Sequence, residues 1–160
     1  MRRFGSRRRR VAVGVALAGA VVAAAVAPSL VSARPSTTVL HFREPSTNTT
    51  FVDVGKKGAS QGDYIAWDDP LKDATTGKVV GRVIGTCTLV DVPSQTYDCS
   101  RVDYILKGGT ITNGGPFSGK GKPGESPLLG GTGKYANVKG YVVARQVTAT
   151  ITDHVITIEH

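Results

Sequence analysis

Pro127-Leu128-Leu129-Gly130-Gly131-Thr132-Gly133-Lys134-Tyr135-Ala136-Asn137-Val138-Lys139-Gly140 is the stretch that sets the architecture of this chain. Three glycines within four positions do not fit a helix interior, and each accepts φ > 0 or a close backbone approach. A Val- and Thr-rich run from Tyr141 to Ile151 follows. A glycine-dense corner feeding a closing strand pair is what a small, tightly curved barrel requires. The stretch is not a phosphate loop. No helix-forming run follows Gly133, and Gly-Lys-Tyr lacks the hydroxyl after Lys that would meet Mg²⁺.

Upstream, the first 33 residues read as an export signal. Met1 to Arg10 holds six arginines and no acid, Val11 to Ala27 is an unbroken small-apolar run, and Val31-Ser32-Ala33 offers a small-x-small cleavage site. Pro28 and Ser29 cut the run short of a comfortable membrane span. The paired arginines leave a twin-arginine route open. The expected organisation is a signal peptide over 1–33 and one β-barrel domain over 34–160, secreted and free of the membrane after cleavage. Six of the 20 basic residues lie in the leader, so the remainder carries 14 basic and 12 acidic residues, a net of +2. The basic pI describes the leader, and nucleic-acid binding has no support.

Working outward from the corner, strand-like runs cover Val39–Glu44, Phe51–Val54, Asp63–Asp69, Lys78–Val92, Tyr97–Leu106, Gly108–Phe117, Tyr141–Ile151 and His154–Glu159. Asp63–Asp69 is expected to halt at Pro70, Ser118 to Ser126 to be a Gly/Lys loop, and Thr152-Asp153 to be a tight turn. Short strands at this spacing, with no helical period, predict an all-β fold, a sandwich or a closed barrel.

The clearest pairing flanks Pro93-Ser94-Gln95, a connection of hairpin length. A turn centred on Pro93 places Cys87 opposite Cys99. These are the only two cysteines of an exported chain, so a cross-strand disulfide is expected. The same register puts Val80, Ile84, Val102 and Leu106 on one face. Gly81, Val83, Gly85, Cys87 and Leu89 share the other with Tyr97, Cys99, Arg101, Asp103 and Ile105. Two readings of the second face stay open. It lines a lumen in which Arg101 anchors an anion and Asp103 orients it, or it carries ordinary solvated charges. Asp68 and Asp69 likewise read either as pocket acids or as strand-ending residues before Pro70. His41, His154 and His160 form no metal-ligand spacing, no hydrolase elbow is present, and Trp67 reads as core packing.

With these segments placed, the chain resembles the allene oxide cyclase/dirigent superfamily of eight-stranded antiparallel barrels. The residues that carry the resemblance are Ile65-Ala66-Trp67-Asp68-Asp69-Pro70-Leu71, Val80-Gly81-Arg82-Val83-Ile84-Gly85, Leu129 to Tyr135, and Lys139-Gly140-Tyr141. The resemblance implies a lumen for a small hydrophobic ligand and cofactor-independent isomerase or coupling chemistry by positioning, with no metal, and it is compatible with a homo-oligomer. It marks Asp68 and Asp69 as substrate-handling acids. It also puts Lys134 where a second dirigent acid stands and Lys139 where an arginine stands, which loses bidentate geometry. The alternative is a non-catalytic extracellular binding or structural protein that uses the barrel's surface.

Overall fold

The computed structural model describes residues 36–160 except 121 and 122; the expected leader, 1–33, and Lys122 lie outside the described residues. Nine strands follow one another: β1 (Thr37–Pro45), β2 (Thr49–Val52), β3 (Tyr64–Asp73), β4 (Val79–Asp91), β5 (Thr96–Leu106), β6 (Gly109–Ser118), β7 (Gly124–Gly131), β8 (Lys139–Thr148) and β9 (Ile151–Glu159). All pairings are antiparallel, in the order β1-β9-β8-β7-β6-β5-β4-β3-β2, and a β1–β3 pairing closes the cylinder.

Nine strands make eight staves because β1 and β2 share one. Phe42 and Arg43 pair with Asp73 and Lys72, and Thr49 to Val52 continue along the same edge of β3 opposite Trp67 to Tyr64. Between them the stave is interrupted over residues 46–48, leaving residues 68–71 of β3 unpaired on that side. Pro70 stands in that stretch, where a missing N–H is tolerated. β3 therefore runs through Asp68-Asp69-Pro70 to Asp73 instead of halting there. Two other expectations are corrected. Residues 124–131 form β7, held between β6 and β8, and the last tight turn falls at Ala149-Thr150.

The glycine corner closes one end of the cylinder. Gly133, at φ 58°, opens a 3-10 turn over Gly133–Tyr135. Its neighbour Lys134 donates its backbone N–H to Gly108 O in the β5–β6 turn. Tyr135 is thereby driven inward, buried with Leu71, Val83, Ile111, Ile156 and Ile158. This apolar plug fills the lower half of the lumen. The β4–β5 and β8–β9 turns lie at the other end.

Cys87 and Cys99 form the expected disulfide. The register around it is less regular than a simple hairpin. Thr88 pairs with Asp98 and Thr86 with Arg101, so one β4 residue faces two on β5. β6 meets the same irregularity, with Cys99 opposite Gly115 and Val102 opposite Asn113. The extra residue is a β-bulge over Ser100-Arg101. Gly114 makes room for it, since a Cβ there would press on the carbonyl oxygens of Cys99 and Ser100. A one-residue slip exchanges the faces of everything beyond it. Hence Val102 and Tyr104 are buried, while Arg101 points out.

Candidate functional site

Above the plug the lumen stays open as a cavity of about 430 Å³. Its walls are mostly apolar: Ile65 and Trp67 from β3, the Cys87–Cys99 bridge, Tyr97 and Val102 from β5, and Phe117 from β6. Trp67 owes its pose to a glycine. It pairs with Gly85, and a Cβ at position 85 would run into the indole ring. The space that Gly85 leaves is filled by the tryptophan, which forms cavity wall rather than closed core.

Three polar side chains cross the lumen where cavity meets plug. Tyr104, on β5, places its hydroxyl 3.0 Å from His154 Nδ1 on β9, four staves away. His154 Nε2 lies 2.6 Å from Glu44 Oε2 on the neighbouring β1. All three line the cavity, and none is more than 6% exposed. A carboxylate only accepts, so His154 carries its proton on Nε2, and Nδ1 accepts from the Tyr104 hydroxyl. Burial, joined by the nearby Glu44 charge, holds the Tyr104 phenol well above the ordinary tyrosine range. The phenol is therefore a neutral hydroxyl at ordinary pH. The arrangement is a buried carboxylate–imidazole–hydroxyl relay, able to take up or release a proton at the phenolic oxygen.

The six residues singled out from the sequence are elsewhere; none of them lines the cavity. Asp68 is exposed and meets Arg82 at 3.1 Å on the outer wall. Asp69 is fully buried, but its carboxylate is occupied by the break in the first stave. It accepts from Thr47 N (2.7 Å), Asn48 N (2.6 Å), Thr47 Oγ1 and Thr49 Oγ1 (both 2.9 Å). Burial acts to raise its pKa, and these four donors outweigh it, leaving the carboxyl lowered. Arg101 and Asp103 pair at 2.7 Å outside the barrel, and Thr112 Oγ1 donates to Asp103 as well. The bulge at Ser100-Arg101 put them there: the face lines the lumen through Cys87, Tyr97 and Cys99, while its two charges stand outside. Lys134 and Lys139 are exposed at the plugged end, where Lys134 Nζ lies 4.7 Å from the Tyr135 ring centroid.

Glu44, Tyr104 and His154 were not among those candidates. A signal for two of them is present in the alternation. Leu40, Phe42 and Glu44 share one parity, as do His154, Ile156 and Ile158, so an acid and an imidazole each stand on the apolar face of a strand. Tyr104 is obscured by the bulge that ends three residues before it.

The family model described as "Dirigent-like protein" matches residues 30–160. No curated protein sequence matches the chain. Among solved structures, a pyocyanin demethylase is 26% identical with a TM-score of 0.65, covering 77% of this chain and 99% of its own. A pterocarpan synthase dirigent protein is 20% identical with a TM-score of 0.68, covering 81% and 87%. An exo-specific intermolecular Diels-Alderase is 19% identical with a TM-score of 0.67, covering 80% and 100%.

Proposed function

The chain belongs to the dirigent-like protein family, and on that premise we propose that it is a secreted barrel that binds a small, mostly apolar molecule and directs its cyclisation or coupling by proton transfer. The observation that carries this reading is the Glu44–His154–Tyr104 relay at the base of an apolar cavity. Secretion is supported by the sequence of the leader and by the disulfide. Guided ring formation is supported by the neighbours' own descriptions as a dirigent pterocarpan synthase and a Diels-Alderase.

The proton balance is simple. As the Tyr104 oxygen takes a proton from the substrate, its own proton passes to His154 Nδ1 and the Nε2 proton passes to Glu44. The reverse sequence delivers a proton to a second substrate atom. The relay returns to its starting state and no oxidant or reductant is consumed, which suits an isomerase or cyclase. The Trp67, Tyr97 and Phe117 walls hold a flexible substrate in the reactive shape, and positioning of this kind supplies much of the barrier lowering.

The test is to expose the processed protein and its Tyr104→Phe variant to extract of the source cell. Bound small molecules are identified by mass spectrometry, and their conversion is followed with time. The reading expects capture by both proteins and conversion by the unmodified one alone. Absence of captured ligand, or equal conversion by both, overturns it.

A further inference from the structure

Two polar atoms in the cavity wall, Trp67 Nε1 and Asn113 Oδ1, are buried with no hydrogen-bond partner among the described residues. The Asn113 side chain belongs to a residue only 6% exposed. Such groups are rare in folded proteins because each forfeits its hydration without recompense. Their positions are related. Trp67 pairs with Gly85, Gly85 with Val102, and Val102 with Asn113, so both lie in one cross-strand row. With neighbouring strands about 4.8 Å apart, the row spans roughly 14 Å of wall before either side chain reaches inward. The two therefore stand at opposite ends of one cross-strand row, with β4 and β5 between them.

Their chemistry differs in sign. An indole N–H only donates, and the Asn113 amide oxygen only accepts. A hydroxyl would satisfy Asn113 whichever way its amide is turned. The walls between and around them, Ile65, Val102, Tyr97 and Phe117, suit a flat apolar body. About 430 Å³ falls within the range of small-molecule sites, about 300–1,000 Å³.

From this we infer that the ligand of the cavity is a flat, conjugated ring compound bearing both a carbonyl-type acceptor, seated on Trp67 Nε1, and a hydroxyl, seated on Asn113. The inference rests on the reading of the cavity as a ligand site. It adds the polar pattern by which that site selects among apolar molecules.

The experiment uses four probes of one scaffold: naphthalene, 2-naphthol, 2-acetylnaphthalene and 6-acetyl-2-naphthol. Affinity is measured by calorimetry on the processed protein. Trp67 is the only tryptophan, so its emission confirms that binding occurs at this wall. The doubly substituted probe is expected to bind at least about tenfold tighter than naphthalene, with the singly substituted probes between. Asn113→Leu removes the advantage of the hydroxyl and keeps that of the carbonyl. Trp67→Phe does the opposite. Circular dichroism checks that both variants are folded. Equal affinity for all four probes overturns the inference and leaves the cavity as a ligand site served by water at its polar atoms. A proportional loss of every probe in either variant also overturns it. No binding of any probe overturns both the inference and the cavity reading.

Discussion

The Tyr104 hydroxyl meets His154 Nδ1 at 3.0 Å although the two residues lie 50 positions apart and on staves that face each other across the lumen. This one contact separates the molecule into an apolar plug and a usable chamber. It also gives the chamber a floor that can exchange protons.

Removing the phenolic oxygen is expected to damage chemistry far more than binding. Tyr104→Phe should lower turnover of a captured substrate by about 10²- to 10⁴-fold, the usual contribution of a positioned acid–base group. Affinity should change little. His154 Nδ1 loses its partner, and stability falls by about 1–3 kcal/mol. Arg101→Ala, on the outer wall, is the control and should alter neither quantity. Steady-state kinetics on the three proteins, with urea unfolding, checks this.

The same tyrosine should be recognisable by alkaline titration. Its pKa is raised by burial and then by Glu44, so one of the five tyrosines stays protonated where exposed ones ionise. The unfolded chain releases that proton near pH 10, earlier than the folded one. The contribution is thus fully present below about pH 10 and declines above it. Absorbance at alkaline pH, followed with and without Tyr104→Phe, should show one missing early phenolate in the unmodified protein only when it is folded.

Acid should act through Asp69. Its carboxyl is lowered in the folded state by donors from Thr47, Asn48 and Thr49 that outweigh burial. The stability it provides is present above the unfolded value, about 3.9, and is lost as pH falls through the folded one. Asp69→Ala leaves two backbone N–H groups of the stave break unpaired and should cost on the order of 3 kcal/mol at neutral pH. The difference from the unmodified protein should narrow below pH 4. Denaturation curves across pH 2–7 measure it, and a gap independent of pH would reject this role.

The disulfide closes a short loop, its cysteines lying 12 positions apart in sequence. Replacing both Cys87 and Cys99 by alanine should lower stability by about 2–3 kcal/mol, read as a drop in Tm. A reductant should reproduce the shift in the unmodified protein and leave the double variant unaffected.

Much of the architecture was legible from local chemistry. The glycine corner and the even spacing of β-type runs led to an all-β sandwich or barrel, the dirigent resemblance chose the closed cylinder, and the two cysteines set its bridge. The site was not legible, for a specific reason. Assigning faces by strict alternation carried the β4 residues correctly inward, Val83, Cys87 and Leu89 among them, but failed on β5 beyond Cys99. No residue type at Ser100-Arg101 announces a bulge, and its enabling partner, Gly114, lies on another strand. Asp69 misled in a different way. Its match to the acidic pair of the dirigent strand suggested a pocket, yet its partners come from a break in the first stave that only the β1–β2 register reveals. Glu44 and His154 lay on readable apolar faces, but only the strand order of the sheet brings the first and last strands together.

The surplus residue in β5 decides which way the rest of that strand faces. Flattened at its present length, the strand would turn a guanidinium and a carboxylate into the chamber and expel a valine and the reactive phenol. Loss of one codon at 100–101 would instead restore plain alternation beyond Cys99 and keep Val102 and Tyr104 facing inward, so the wall tolerates a shorter strand better than a straightened one.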